Sequence, residues 1–322
     1  KKFKKFLKIF VISLVVLIGL LFASTYIFRG KIVSMVKSEI NKNINARVDF
    51  KEVDISFFRN FPKVSIGLDE LQVVGADYFA ADTLLYAKRL DAAVDIMSFF
   101  RGKNMNIYNV FLVSPRINAI VSIEGFANWD IVKTDESKPE VTTAAKPFNL
   151  QLEKYGIENG YVKYTDAESD MSAVVENLNH SGSGDFTSDL FTLKTNTSAD
   201  AVTFTYGLIP YLSKVKTVVT TDIKVDNKNS VYSFDGLDAL LNDLMINGNG
   251  NIKSLANGYG MDINFKSAST DFKNILSLIP AVYKTDFDKV TANGTAKFEG
   301  FVKGVYSETT MPGYHIAMNV KD

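Results

Sequence analysis

The chain begins with an apolar stretch that is long enough to cross a membrane. Residues 9–28 form a nearly unbroken apolar run, and a helix that spans a bilayer needs about 20 such residues. Transfer of its Leu, Ile, Val and Phe side chains into the membrane is favourable by about 4 to 8 kcal/mol. The side chains that we expect in the membrane are Ile9, Phe10, Val11, Leu14, Val15, Leu17, Leu20, Leu21, Phe22, Ile27 and Phe28.

Charges around this stretch predict its orientation. Residues 1–8 contain five lysines, and positively charged flanks stay in the cytoplasm. We therefore expect residues 1–8 to be a cytoplasmic tail and the body to be exported. The alternative is a cleaved signal peptide, whose apolar region has about 7–15 residues and ends at a site of small residues. The longer run here favours a transmembrane helix over residues 9–28 that is not cleaved.

A second periodic segment follows the apolar run. Its spacing is close to 3.6 residues and predicts an amphipathic helix over residues 31–45. We expect this helix to pack across the open end of the first sheet, although a helix on the membrane surface is an alternative. The apolar positions are Ile32, Val33, Met35, Val36, Ile40 and Ile44.

The rest of the chain shows the alternation of apolar and polar residues that is typical of β-strands. Val53, Ile55 and Phe57 are one example, and about fourteen to sixteen such runs can be distinguished. A short helix is expected before Pro280, which would end it. The sequence therefore predicts a mainly β body.

Two features suggest how the strands are organised. Residues 134–147 have almost no large apolar side chain, which is typical of a linker. It would separate a β segment over residues 46–133 from a second β-rich segment over residues 148–322. Asn-Gly pairs fit type I′ turns and predict antiparallel hairpins in the second segment. These pairs begin at Asn159, Asn247, Asn249, Asn257 and Asn293.

Composition excludes several functions. The 36 basic and 36 acidic residues give no net charge, so nucleic-acid binding is not expected. The chain has no cysteine, which excludes thiol nucleophiles and thiolate metal sites, and its two histidines, His180 and His315, lie far apart in sequence. We expect no catalytic residue, no metal and no cofactor, and hence no enzyme.

Several motifs together resemble the AsmA-like family, particularly its Bacteroidetes-type members. They are the N-terminal apolar run, the segment Ile40–Val48, the turn Ser56–Pro62, the stretch Asp82–Ala87 and the stretch Gly125–Ile131. The later segment Phe272–Tyr283 is also similar to such proteins. Family members are usually longer, so we expect either a fragment or a last strand that pairs with another chain.

This resemblance implies a bacterial inner-membrane protein with one transmembrane helix, a cytoplasmic N-terminus and a periplasmic body. The body would be an elongated, curved, largely antiparallel β-sheet that forms an open groove, related in architecture to the chorein-type bridge proteins that move phospholipid between membranes. Without closure, fourteen to sixteen strands at about 4.8 Å spacing span roughly 65 to 75 Å. Candidate positions in the groove are Phe57, Ile66, Phe204, Phe234, Phe265 and Phe298.

Three functions follow as hypotheses. The first is binding or conduction of a phospholipid or another envelope lipid between the inner and outer membranes, with an outer-membrane or periplasmic protein at the far end. The second is a scaffold that affects outer-membrane protein assembly or docks an envelope complex. The third is an anchored hydrolase, which the shortage of histidine argues against.

Overall fold

A computed structural model describes residues 30, 33–34, 37–38, 40–42, 44–60, 63–95, 105–131, 133, 148–278, 294–307 and 309–321. Among these residues no helix is long and apolar enough to span a bilayer. The predicted transmembrane helix over residues 9–28 and the predicted linker over residues 134–147 lie outside the described residues.

The described body is mainly β, as the alternating pattern predicts, and its strands form one 16-stranded sheet. Outside the N-terminal region the described helices are a 3₁₀ helix over Asp77–Phe79 and the short helix α1 (Phe272–Leu276), of which α1 lies where the sequence predicts a helix. The strands are β1 Ala46–Asp49, β2 Glu52–Asn60, β3 Lys63–Gly75, β4 Thr83–Val94, β5 Met105–Val113, β6 Arg116–Val121, β7 Phe148–Asp166, β8 Met171–Ser183, β9 Leu190–Tyr206, β10 Ile209–Asp226, β11 Val231–Leu241, β12 Leu244–Leu255, β13 Gly258–Ser267, β14 Thr270–Asp271, β15 Thr295–Tyr306 and β16 Gly313–Lys321.

The sheet is mixed rather than purely antiparallel. From β7 to β13 each strand pairs with the next in antiparallel fashion. Strands β5 and β6, however, both pair with β7 in parallel. Parallel neighbours need a long crossover connection, and the connection from β6 to β7 contains residues 134–147. The strands before and after this segment therefore belong to one continuous sheet.

A row of backbone irregularities crosses this curved sheet, within its long strands and, at Ser114, between β5 and β6. Ser114, Asn159, Asn177 and Lys214 have positive φ angles between 48° and 53°, and the register shifts beside several of them. Such bulges bend a strand and increase its twist. The side chain of Asn179 accepts a hydrogen bond from the freed backbone N–H of Asn159 at 3.0 Å. The bulges therefore curve the sheet without leaving this amide unpaired.

Most of the described Asn-Gly pairs do not form the predicted hairpin turns. Asn257 lies in the turn between β12 and β13, although Gly258 is already the first residue of β13, and the pairs that begin at Asn159, Asn247 and Asn249 lie inside strands. The strands that contain these pairs are hydrogen-bonded to neighbouring strands on both sides, which keeps the chain extended there. At Gly250, for example, φ is +154° and an added Cβ would lie 2.2 Å from a carbonyl oxygen of β13, so glycine is needed there for close approach of the strands.

The first strands enclose the best-buried apolar cluster. Val48, Phe50 and Leu71 are between 2 and 6 % exposed in this cluster. The described residues of the predicted N-terminal helix are helical up to residue 42, whereas Ile44 and Asn45 at its predicted end are not. Val33 and Ile40 pack against the same cluster. The helix therefore covers the apolar side of the first strands, as the sequence predicts.

Candidate functional site

Strand register brings mainly apolar side chains into two rows that cross the sheet, with polar residues and glycines at some positions. The first apolar row runs from β2 to β13 through Val53, Leu68, Leu90, Leu112, Ile157, His180, Thr197, Val219, Ala239, Ile246 and Ser267. The second apolar row runs from β2 to β16 through Ile55, Ile66, Ala92, Val110, Tyr155, Gly182, Thr195, Thr221, Leu237, Gly248, Phe265, Gly300 and Ile316. We call the side of the sheet that carries both rows the apolar face.

The positions between these rows point to the opposite side, because side chains alternate along a strand. This polar row contains Asp54, Gly67, Asp91, Phe111, Gly156, Ser181, Asn196, Thr220, Asp238, Asn247, Lys266, Glu299 and Ala317. We call this side the polar face. The sheet is therefore amphipathic along nearly its whole length.

Charge pairs hold the polar face. The guanidinium of Arg89 lies 3.2 Å from Asp54, 3.0 Å from Asp69 and 2.9 Å from Asp91. Hydrogen bonds, first to Asp91, raise the pKa of Arg89 above its usual value. Gly67 leaves room for this arrangement, since a Cβ there would lie 2.1 Å from the guanidinium. Further along, Lys303 pairs with Asp262 at 2.7 Å.

The apolar face is covered at one end and open at the other. Leu68 in the first row is 8 % exposed beneath the N-terminal segment. Along the second row, Leu237 and Phe265 are half-buried, and Ile316 on β16 is 58 % exposed. Nearer the first row the face is less accessible, since Ala239 is 8 % exposed. Side chains of the sheet itself do not fill this part of the face, so it forms an apolar surface on which a long, thin ligand can lie.

The six candidate groove positions distribute as follows. Ile66 packs against the covered cluster, whereas Phe204, Phe234, Phe265 and Phe298 are half-buried and lie on the apolar face. The rings of Phe265 and Phe298 are 6.3 Å apart in an edge-to-face arrangement, and Phe204 and Tyr211 are separated by the same distance. The side chain of Phe57 lies outside the described part of the chain.

Sequence reasoning missed an aromatic cluster over the middle of the apolar face. Phe186 lies in the connection between β8 and β9, and its ring is 6.0 Å from Tyr155 and 4.9 Å from Phe191. Tyr155 is in turn 5.3 Å from the ring of His180. The signal in the sequence was a large aromatic residue within a polar turn, which is otherwise an unfavourable place for it. The ring of Phe186 therefore covers part of the apolar face at strands β7 to β9.

A cleft of about 500 Å³ lies mainly along the polar row of β11 to β16. Its lining includes Asp238, Asn247 and Lys266, together with the stacked rings of Phe301 and His315, 5.7 Å apart. No group of three or more acidic, histidine or cysteine side chains in the described ranges is arranged to hold a metal ion. His180 and His315 lie on strands β8 and β16, which several other strands separate.

Comparison of the sequence with models of protein families gives a match to one family. A family model for the AsmA family matches residues 1–296 of the 322 in the chain, which extends from the predicted membrane segment into β15. Comparisons with curated proteins and with solved structures find no significant match. Because the family model covers most of the sequence, the chain belongs to the AsmA family.

Proposed function

We propose that this protein binds phospholipid along its apolar face and conducts it through the periplasm, anchored in the inner membrane by residues 9–28. The observation that carries the proposal is the length of the two mainly apolar rows. The second row crosses thirteen strands, and twelve spacings of about 4.8 Å give a path of roughly 60 Å.

The mechanism is passive. Acyl chains lie against the half-buried side chains of the apolar face, and the head group stays in water on its open side. Each methylene removed from water contributes about 0.8 kcal/mol, and successive strands offer similar surfaces. The sum of these contacts therefore holds a lipid firmly. As the lipid moves, it exchanges its contacts with one strand for similar contacts with the next. Direction must come from the membranes or proteins at the two ends, and no chemical step or cofactor is required.

Photo-crosslinking in cells tests this proposal with the full chain. Benzoylphenylalanine placed at Phe265 or Phe298 should crosslink to phosphate-labelled lipid. The same residue at the neighbouring positions Lys266 or Lys297, on the polar face, should not. Equal labelling of both sets would contradict a lipid path on one face, and the absence of labelling at every position would contradict lipid binding.

One observation favours a scaffold as the second candidate function. Every residue of β16 is exposed, and in the described structure this strand pairs only with β15. Tyr314 is 79 % and Met318 50 % exposed. An exposed apolar edge strand is a template for pairing with another chain. Crosslinks from Tyr314 to a protein, with no lipid crosslinks from Phe265, would support the scaffold instead of the lipid path.

A further inference from the structure

Polar side chains interrupt both apolar rows at the middle of the sheet. In the first row these residues are His180 on β8 and Thr197 on β9, which pair directly. In the second row they are Thr195 on β9 and Thr221 on β10, which also pair directly. We call these four residues the polar patch. It lies within about two strand spacings, or roughly 10 Å.

His180 is held in a defined orientation inside this patch. Its Nδ1 lies 2.8 Å from the hydroxyl oxygen of Thr197, and the ring of Tyr155 lies 5.3 Å away. Burial lowers the pKa of His180, so the ring is neutral near pH 7. When the Thr197 hydroxyl donates to Nδ1, the proton of the ring lies on Nε2. The patch then offers an N–H donor without a charge.

Thr221 adds an unpaired hydroxyl. Its side chain is 7 % exposed, and its Oγ1 has no hydrogen-bond partner among the described residues. The hydroxyl of Thr195 donates to the Thr221 carbonyl at 2.9 Å, so it does not satisfy Oγ1. Buried polar groups are almost always hydrogen-bonded, so this hydroxyl is a candidate for a hydrogen bond to a water or to a bound molecule.

We propose that the polar patch binds the ester-bearing glycerol region of a phospholipid while the acyl chains lie on the apolar residues beside it. Ester carbonyls accept hydrogen bonds and carry no charge, which matches the neutral donors of the patch. Leu193 and Ile223 on one side, and Phe204 on the other, are half-buried and supply apolar surface along the same strands. None of the four patch residues carries a formal positive charge, so the phosphate group remains in water.

This inference rests on the proposed function and changes its mechanism. A uniformly apolar face lets a lipid slide between equivalent positions, whereas hydrogen bonds at β8 to β10 create a preferred stop at mid-path. A lipid with ester linkages should pause there, and a lipid of the same shape without carbonyls should not.

The test compares two lipid probes on the purified full chain in detergent. One is phosphatidylglycerol with ester-linked chains, and the other is its analogue with ether-linked chains of the same length. We expect the diester to bind about fivefold more tightly, which is the size of one hydrogen bond. His180→Phe and Thr221→Val should each reduce that preference, whereas Thr220→Val, on the polar face one residue away, should leave it unchanged. His180→Gln keeps an N–H donor and should retain part of the preference.

The outcomes separate the two proposals. Binding of both lipids with equal affinity, or a preference that survives His180→Phe and Thr221→Val, would overturn the polar patch and leave the lipid path standing; Thr221 Oγ1 would then hold only a water. Failure of both probes to bind would overturn the lipid path and the patch together. Binding of the diether lipid by each variant serves as the control for folding.

Discussion

The replacement of Phe298 by glutamate provides a quantitative test of the lipid path. Phe298 is half-buried on the apolar face, with its ring 6.3 Å from Phe265 and its strand position opposite Met318. One strand spacing of about 4.8 Å accommodates roughly four methylene groups of an extended acyl chain. At about 0.8 kcal/mol for each, full burial against one strand contributes about 3 kcal/mol.

The expected loss of affinity is smaller than this upper value. Because the face is open, an acyl chain contacts it on one side only. Only about half of the burial free energy, or about 1.5 kcal/mol, can therefore be lost. Since 1.36 kcal/mol corresponds to a factor of ten, Phe298→Glu should weaken phospholipid binding roughly tenfold. The carboxylate replaces contact with the chain by a hydrated charge.

The assay is an equilibrium titration of the purified full chain with a fluorescent phospholipid. The matched control is Lys297→Glu, since Lys297 is the neighbouring residue on the polar face and is exposed; its affinity should change less than twofold. Thermal unfolding of both variants shows whether they are folded at the assay temperature. Equal effects of the two substitutions, or unchanged affinity in a folded Phe298→Glu variant, would refute the assignment of lipid to this face.

Three further predictions concern stability. Arg89→Met should lower the free energy of unfolding by about 2 to 3 kcal/mol, because it leaves three partly buried carboxylates facing one another. Urea unfolding measures this change. The control is Lys88→Met at the exposed neighbouring position, for which the change should be below about 0.5 kcal/mol. Gly250→Ala should lower the unfolding temperature strongly, since the added Cβ meets a backbone carbonyl 2.2 Å away, whereas Gly236→Ala, with nothing within 4 Å, should not. Burial lowers the pKa of His180 in the folded chain. The unfolded chain therefore binds more protons than the folded chain once the pH falls below about 6.5, the ordinary pKa of histidine, and folding stability should decrease there. Calorimetry at about pH 7.0 and about pH 5.5, roughly above and below that ordinary pKa, should show a smaller decrease for His180→Gln.

The amphipathic sheet also bears on how the two candidate functions relate. The two mainly apolar rows support a lipid path, and the exposed strand β16 favours contact with another protein. The two features lie on one sheet, and Ile316 belongs both to the second apolar row and to β16. A strand that paired with β16 would extend the apolar face by one further spacing of about 4.8 Å.

Local pattern in the sequence determined the secondary structure and its two faces. Alternation of period two is a property of each strand alone, so about fourteen to sixteen strands could be predicted, and the described residues form 16. The helical period likewise located the N-terminal helix and α1. Alternation also separates Phe204, Phe234, Phe265 and Phe298 from their polar neighbours, but it does not by itself decide which face of the sheet lines a groove.

Long-range pairing decided the remaining features. Asn159-Gly160 fits a tight turn locally, but pairing of β7 with neighbours on both sides keeps it within a strand. The parallel pairing of β5 with β7 depends on a connection whose path no local period encodes. The polar patch likewise exists only because register places His180 beside Thr197, 17 residues away in sequence. Alternation specifies which side chains share a face, whereas register across the sheet specifies which of them meet.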